Sequence, residues 1–252
     1  MDILRCEKFK NGFLWNADCL DALRHIDKFD ICVTSPPYNL NKEHSGSDHT
    51  ESGRRMLAKY DAWYFDDMPE PEYQAWQVEV IKAIMAKCGG SIFYNHRIRY
   101  AWHSRNKHRT PSNIYHPLDW LSQFPIWAEI IWDRLGAGTP NNRVNLRHEY
   151  VYQINRPAGG DLTGESSVWP ISPEREDRNG HVCPFPVALV SKCLKIGSDP
   201  GQTVFDPFMG SGTTAVAAIR AGRRFLGAEL DKETFERACE RIHKEESQGT
   251  LF

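Results

Sequence analysis

The stretch "DPFMGSGTTA" (206–215) decides the fold. An apolar run, "QTVFDPF" (202–208), leads into it, and "TTAVAAIRAG" (213–222) leads out and stops at Gly222. The pattern is a strand, a glycine turn and a helix. Gly210, Gly212 and Ala215 fit G-x-G-x-x-G/A, where glycine permits a tight turn and close approach of the backbone to a ligand. The N-terminus of the following helix offers N–H groups to a negative group. One strand further on, "RRFLGAEL" (223–230) carries Glu229, where a nucleotide-binding fold sets an acid against ribose hydroxyls. A P-loop is excluded, because Thr213 and Thr214 follow Gly212 in place of Lys-Ser/Thr. A nicotinamide site stays open on this stretch alone, as does a purely structural turn.

This unit lies near the end of the chain, so its sheet must be completed by earlier strands. Working outward, the spacing predicts strands at 12–16, 29–34, 91–95, 127–132 and 149–155, besides those at 202–208 and 223–230. Helical periodicity predicts helices at 18–26, 69–90, 184–197 and 232–246, besides the glycine turn and helix at 209–222. "FDICVT" (29–34) is a continuous apolar run of the kind buried in parallel sheets. Residues 39–68 read as a long polar loop and 156–181 as irregular. Strands alternating with helices predict an α/β fold, a mostly parallel twisted sheet with helices on both faces, over one domain spanning 1–252.

The composition is that of a globular chain: 252 residues, 40% hydrophobic and 25% charged. No apolar run approaches the ~20 residues of a membrane span, and the first ten residues lack an apolar signal core. A cytoplasmic protein with no membrane partner is expected. The seven cysteines are scattered without C-x-x-C, and the ten histidines show no metal-binding spacing, so no metal site is expected. Net charge is −2. Yet between His96 and Arg147 eight Lys/Arg (97, 99, 105, 107, 109, 134, 143, 147) face three Asp/Glu (119, 129, 133). Such a locally basic stretch inside an acidic chain suits a nucleic-acid contact, and equally an ordinary solvated charged surface.

The second informative stretch is "VTSPPYNL" (33–40). It ends the buried strand, and ligands in open α/β sheets bind beyond the carboxyl ends of strands. Proline fixes φ and has no N–H, so Pro36 and Pro37 form a rigid corner with an outward carbonyl. Ser35 adds a hydroxyl, and Tyr38 is expected as an exposed ring on a stiff mount. A planar base can stack on such a ring while its amino group donates to the Ser35 oxygen and the Pro36 carbonyl. Alone, the corner reads first as a turn that ends a strand.

Together the two stretches resemble the amino-group DNA methyltransferases of the permuted group, whose S/D/N-P-P-Y/F/W motif precedes the S-adenosylmethionine (SAM) loop. The resemblance covers most of the chain. "NADCLDAL" (16–23) is similar to the segment before the catalytic strand, "RHEYVYQINR" (147–156) to the family's "HEY" strand, and "HVCPFPVAL" (181–189) to its "HPAPFP" segment, departing at Val182 and Cys183. It implies a Rossmann-like SAM-dependent methyltransferase fold, SAM as cofactor and double-stranded DNA as partner. It allows a homodimer, a cognate restriction endonuclease, and a prokaryotic or phage source.

By the same resemblance Ser35, Pro36, Pro37 and Tyr38 are the catalytic residues. The cofactor would lie against Asp18, Cys19, Phe185, Pro186, Asp206, Pro207, Phe208, Gly210, Ser211, Gly212, Thr213, Glu229 and Leu230. An exocyclic amine is a poor nucleophile, because its lone pair is delocalised into the ring. Acceptors that hold its hydrogens favour a pyramidal nitrogen, so positioning and electrostatics supply the rate. The base must be flipped from the duplex onto Tyr38. Ser at the first motif position favours N4 of cytosine, with N6 of adenine as the alternative. A nicotinamide-dependent dehydrogenase and a non-catalytic nucleic-acid-binding module are the more distant readings.

DNA contacts are expected in segments 95–116, 134–148 and 156–181, with a lid over 40–66. Asn39, Arg97, Arg99, Arg105, Asn141, Asn142, Arg143 and Arg147 are the candidate contacts, since Arg and Asn read base edges and cations hold phosphates.

Overall fold

The computed structural model describes residues 5–39, 68–101, 113–136, 147–173 and 186–248. At the centre of its sheet two strands from opposite halves of the chain run side by side. β3 (Ile31–Thr34) and β10 (Thr203–Asp206) are parallel, with Val204 opposite Ile31 and Phe205 opposite Cys32. Every residue of β3 is buried. That is why its sequence is an unbroken apolar run rather than an alternation.

Around this pair the described residues form a nine-stranded sheet. Its order is β1 (Arg5–Lys8), β2 (Gly12–Asn16), β11 (Arg224–Glu229), β10, β3, β4 (Ile92–His96), β8 (His148–Ile154), β7 (Ile126–Asp133) and β9 (Val168–Pro170). The five strands from β2 to β4 are mutually parallel. β8 is antiparallel to both β4 and β7, β1 is antiparallel to β2, and β9 is parallel to β7. A separate pair, β5 (Arg99–Ala101) and β6 (Asn113–Tyr115), is antiparallel.

Six helices are described: α1 (Cys19–Arg24), α2 (Glu70–Met85), α3 (Leu118–Leu121), α4 (Val187–Gly197), α5 (Thr213–Arg220) and α6 (Lys232–Gln248). α2 starts where the sequence says it should. Pro71 sits in the first turn, where its missing N–H leaves no bond unmade, and Glu70 and Glu72 lie at the positive end of the helix dipole.

The core has two layers, one on each side of the sheet. On one side Leu189 and Val190 of α4, Ala215 and Ala218 of α5, and Phe235 and Ile242 of α6 pack on Ile31, Val33, Phe93 and Val204. On the other, Leu23 of α1, Val80, Ile81 and Ile84 of α2, and Trp120 of α3 pack on Cys32, Ile92, Tyr94 and Phe205. Neighbouring residues of one strand thus enter opposite cores. Burial of each large apolar side chain contributes about 1.5–3 kcal/mol.

This connectivity creates a crevice. From β10 the chain passes through α5 to β11 on one side. From β3 it passes through α2 to β4 on the other. Adjacent strands whose successors diverge leave an opening at their carboxyl ends, the switch point where α/β sheets bind ligands.

The structure corrects the expectation that 156–181 is wholly irregular. Val168–Pro170 forms β9 beside β7, and the Trp169 ring is buried with its Nε1 donating to the Ser166 carbonyl at 2.8 Å. Three residues are too few for a period-two pattern to stand out. The same brevity hid β1, β5, β6 and α3. Among the described residues no helix is long and apolar enough to cross a membrane.

Candidate functional site

The site is built at the ends of β10 and β3. Gly210 and Gly212 take φ of 53° and 84°, a left-handed backbone that glycine adopts without a Cβ penalty. The turn they make is held from inside by Asp206. Its Oδ1 accepts from Thr34 Oγ1 at 2.9 Å and from the Phe208 amide at 3.0 Å, and its Oδ2 accepts from Thr214 Oγ1 at 2.6 Å. Burial pushes this carboxyl up to about 6, against the lowering effect of those donors. Asp206 therefore spends its hydrogen bonds within the protein, tying β3, β10 and α5 together. Phe208 stands edge-on to Trp76 of α2 at 5.6 Å. Arg241 of α6 donates to the Ser211 carbonyl, to Ser211 Oγ and to Thr213 Oγ1, which steadies the outer side of the turn.

Three acids gather at the neighbouring strand ends. Glu229, the last residue of β11, accepts from the Gly210 amide at 2.9 Å and from the Asp231 amide at 2.8 Å. Burial pushes it up to about 7, and the carboxylates of Asp231 and Asp206 add to the rise. Asp18, two residues beyond β2, caps α1 by accepting from the Leu20 amide at 2.8 Å. Asp231 Oδ1 accepts from the Thr234 amide, while its buried Oδ2 has no hydrogen-bond partner among the described residues. Leu230 lies between these acids and is 42% exposed, an apolar surface at the crevice. Cys19 is buried, and Pro186 is the N-cap of α4. Phe185 lies outside the described residues.

At the end of β3 the proline corner meets a polar cluster. Tyr38 is half-buried rather than exposed, which corrects the expected free ring. Its hydroxyl is drawn inward, 2.6 Å from Asn95 Oδ1, 3.0 Å from Glu149 Oε2 and 3.0 Å from Ser35 Oγ. The Ser35 hydroxyl donates to Asn95 Oδ1 at 3.2 Å. Asn95 is fixed in turn, since its Nδ2 donates to the Tyr150 carbonyl at 2.9 Å. Glu149 is buried, with Oε1 paired to Arg134 Nη1 at 3.0 Å. Burial and the Glu149 charge push the Tyr38 phenol well above its ordinary range, so it stays protonated. With its proton directed at Asn95 Oδ1, the Ser35 oxygen keeps lone-pair capacity for a further donor.

A second chain of hydrogen bonds fixes the corner from behind. His96 Nδ1 lies 2.9 Å from both the amide and the carbonyl of Arg97. The neutral tautomer that accepts from the amide carries its proton on Nε2, the form that suits Tyr73 giving its own proton to Pro37. His96 Nε2 then donates to Tyr73 Oη at 2.8 Å, and Tyr73 donates to the Pro37 carbonyl at 2.7 Å. Burial drives His96 down to about 3, with the Arg99 and Arg97 charges assisting, so the imidazole is neutral. Its ring lies 4.6 Å from that of Tyr38.

The expected DNA contacts divide. Arg97 places its guanidinium 5.9 Å from the Tyr38 ring centroid, at the mouth of the corner. Arg147 is half-exposed and paired with Asp133 at 2.8 Å. Arg99 is a correction. Its guanidinium is buried, forked onto Glu70 at 2.6 and 2.7 Å and packed against Tyr73, Tyr115 and Trp120, so it has no charge to offer a phosphate. Asn39 is a second correction: it is buried in a left-handed backbone (φ 54°), and its Nδ2 donates to the Met68 carbonyl at 2.8 Å. Arg105, Asn141, Asn142, Arg143 and the lid expected over 40–66 lie outside the described residues.

Sequence reading missed Asn95, His96, Tyr73 and the role of Glu149. Asn95 and His96 end "SIFYNH", a strand at the same sheet edge as the proline corner. A polar pair at the carboxyl end of a parallel strand next to that corner was the available signal.

A family model described as DNA methylase matches residues 160–240. The type II methyltransferase M.BglII of Bacillus subtilis is 26% identical over 95% of this chain and 71% of its own length. The type II methyltransferase M.ScaI of Streptomyces caespitosus is also 26% identical, over 92% of this chain and 81% of its own length. Among solved structures, the PvuII DNA methyltransferase (cytosine-N4-specific) superposes with a TM-score of 0.71 at 17% identity, covering 98% of this chain and 96% of that one. A putative DNA modification methylase from Thermus thermophilus, complexed with S-adenosyl-L-methionine, gives 0.61 at 23% identity, covering 91% and 92%. The fold is that of the SAM-dependent methyltransferases.

Proposed function

We infer that the chain is a DNA methyltransferase that moves a methyl group from S-adenosylmethionine to an exocyclic amine of a DNA base. One observation carries the reading. The serine–proline–proline–tyrosine corner and the glycine turn end adjacent parallel strands, and Thr34 and Asp206 bond their ends together. A dehydrogenase would use the turn and leave the corner, Asn95 and Glu149 without a task.

The residues present fit the cofactor. Asp18 and Glu229 offer acceptors for hydroxyl and amino groups, Leu230 offers an apolar surface, and the unpartnered Asp231 Oδ2 is a further acceptor at the same strand end. The Gly210–Gly212 turn brings backbone close. When bound, SAM supplies a methyl group on a positively charged sulfur, an electrophile for a nitrogen lone pair.

The chain's own residues prepare that nitrogen. We assign Ser35 Oγ and the Pro36 carbonyl as acceptors for the amine hydrogens. Tyr38 is the stacking ring for the flipped base, backed by His96. The neutral His96–Tyr73–Pro37 chain holds the corner rigid, so the acceptors need no reorganisation when charge develops on the nitrogen. Arg97 and Arg147 are the proposed phosphate or base contacts.

N4 of cytosine is the proposed target. Ser35 at the first position of the corner supports it, as does the likeness to a structure described as cytosine-N4-specific. The likeness to type II enzymes alone suggests a homodimer and an accompanying endonuclease. The test is incubation with duplex DNA and methyl-labelled SAM, followed by mass analysis of the nucleosides. N4-methyl-2′-deoxycytidine is expected. N6-methyl-2′-deoxyadenosine alone would move the target to adenine, and no methylated nucleoside on varied DNA would overturn the reading.

A further inference from the structure

The reaction described above leaves a proton to be removed. As the new nitrogen–carbon bond forms, the donor's sulfur–carbon bond breaks and its electron pair stays on sulfur. The amine nitrogen becomes cationic, and one of its N–H bonds must break to restore neutrality. The groups that first receive those hydrogens cannot keep a proton. Ser35 Oγ and the Pro36 carbonyl are too weakly basic, and Asn95 is an amide. Tyr38 is already protonated.

One group in the cluster can keep it. Glu149 is a buried carboxylate whose Oε1 is held by Arg134 and whose Oε2 faces the Tyr38 hydroxyl at 3.0 Å. The Tyr38 hydroxyl stands 3.0 Å from Ser35 Oγ. Three oxygens, two from the proline corner and one from β8, thus form a continuous path to a carboxylate.

We propose that Glu149 is the terminal acceptor of the reaction proton, reached through the hydroxyls of Ser35 and Tyr38. The proposal rests on the methyl-transfer reading. In the resting protein Ser35 donates to Asn95 Oδ1, and the Tyr38 hydroxyl stands within donating distance of both Asn95 Oδ1 and Glu149 Oε2. During transfer the nitrogen gives its proton to Ser35 Oγ, Ser35 passes its own to Tyr38 Oη, and Tyr38 passes its own to Glu149 Oε2. Both hydroxyls end neutral, the methylated amine is neutral, and Glu149 carries one proton. The direction is downhill, because an amine conjugated into a ring is a far weaker base than a carboxylate, even one held by a guanidinium. Arg134 keeps Oε1, so Oε2 stays turned to Tyr38. Glu149 acts through Tyr38 and positions that hydroxyl as well as emptying it.

The test uses the full-length protein with duplex DNA and SAM under single-turnover conditions. Glu149→Gln keeps an acceptor for Tyr38 but cannot take a proton, and Tyr38→Phe keeps the ring but cuts the path. Each is expected to slow methyl transfer by about 10²-fold while affinities for SAM and DNA stay near wild type. Residues acting as one unit are not additive, so the double variant should be no slower than the worse single one. A wild-type rate in either single variant overturns the relay, as does a double variant whose loss is the product of the two. Without cofactor or DNA, Glu149→Gln should move the Tyr38 Cζ resonance in tyrosine-labelled protein, and no movement would remove the hydrogen bond on which the path depends. If the wild-type protein itself methylates no DNA, the methyl-transfer reading fails instead.

Discussion

Thr34 Oγ1 donates a 2.9 Å hydrogen bond to Asp206 Oδ1 across a sequence separation of 172 residues. It joins the strand that ends in the proline corner to the strand that ends in the glycine turn. Both side chains are buried, and the acceptor is a carboxylate. Thr34→Val keeps the shape and deletes the donor, so the folded protein should lose about 1.5–3 kcal/mol. Urea unfolding measures it, and an unchanged midpoint would mean the tie contributes nothing.

Tyr73 donates to the Pro37 carbonyl and accepts from His96. Tyr73→Phe removes the donor and leaves the ring in place. Because the corner is then less rigidly held, turnover should fall about tenfold while SAM affinity is kept, since positioning acts on the chemical step. Equal loss of SAM binding and turnover would assign Tyr73 to the cofactor end instead.

Glu229 has an ordinary carboxyl value of 4.5 and stands at about 7 in the folded protein because burial disfavours its charge. Its contribution to stability is fully present below pH 4.5 and is lost as pH rises through about 7. Glu229→Gln resembles the protonated form at every pH. Relative to wild type it should therefore gain about 2–3 kcal/mol between pH 5 and pH 8. Denaturation at the two pH values checks this, and a constant difference would contradict it. SAM affinity of the wild type should weaken as pH falls below about 7, where the acceptor becomes protonated.

His96 is shifted the other way, from 6.5 to about 3, chiefly by burial. It should stay neutral, with its proton on Nε2, from pH 8 down to pH 5. Ring nitrogen resonances report this directly. Its contribution to stability is present above pH 6.5 and is lost as pH falls toward about 3. A ring that titrates near its ordinary value would break the assigned chain to Pro37.

Arg97 and Arg99 are two residues apart and should behave as opposites. Arg99→Ala leaves Glu70 without its buried partner and should cost about 3 kcal/mol of stability. Arg97→Ala should leave stability unchanged, weaken DNA binding, and lower the slope of log affinity against log salt by about 1. Arg97→Ala without effect on that slope would remove it from the DNA contact.

What the sequence determined by itself was what local chemistry imposes. Two prolines must end a strand, and Gly210 and Gly212 must turn it. "ICVT" reads as a doubly buried strand because all four of its residues face a core. From these residues alone the parallel α/β sheet, the proline corner, the glycine turn and the acid at Glu229 were legible. Tertiary structure decided which polar groups meet. Thr34 and Asp206, and Tyr38 and Glu149, are partners only because the sheet order brings β3 beside β10, and β4 beside both β3 and β8. Arg99 of β5 meets Glu70 only through the packing of that strand against the first turn of α2. A hydrogen bond is satisfied by whatever donor or acceptor packing places within about 3 Å, and strand order is not written in any local stretch. For the same reason Arg99, a surface cation by its sequence neighbours, proved to be a buried one.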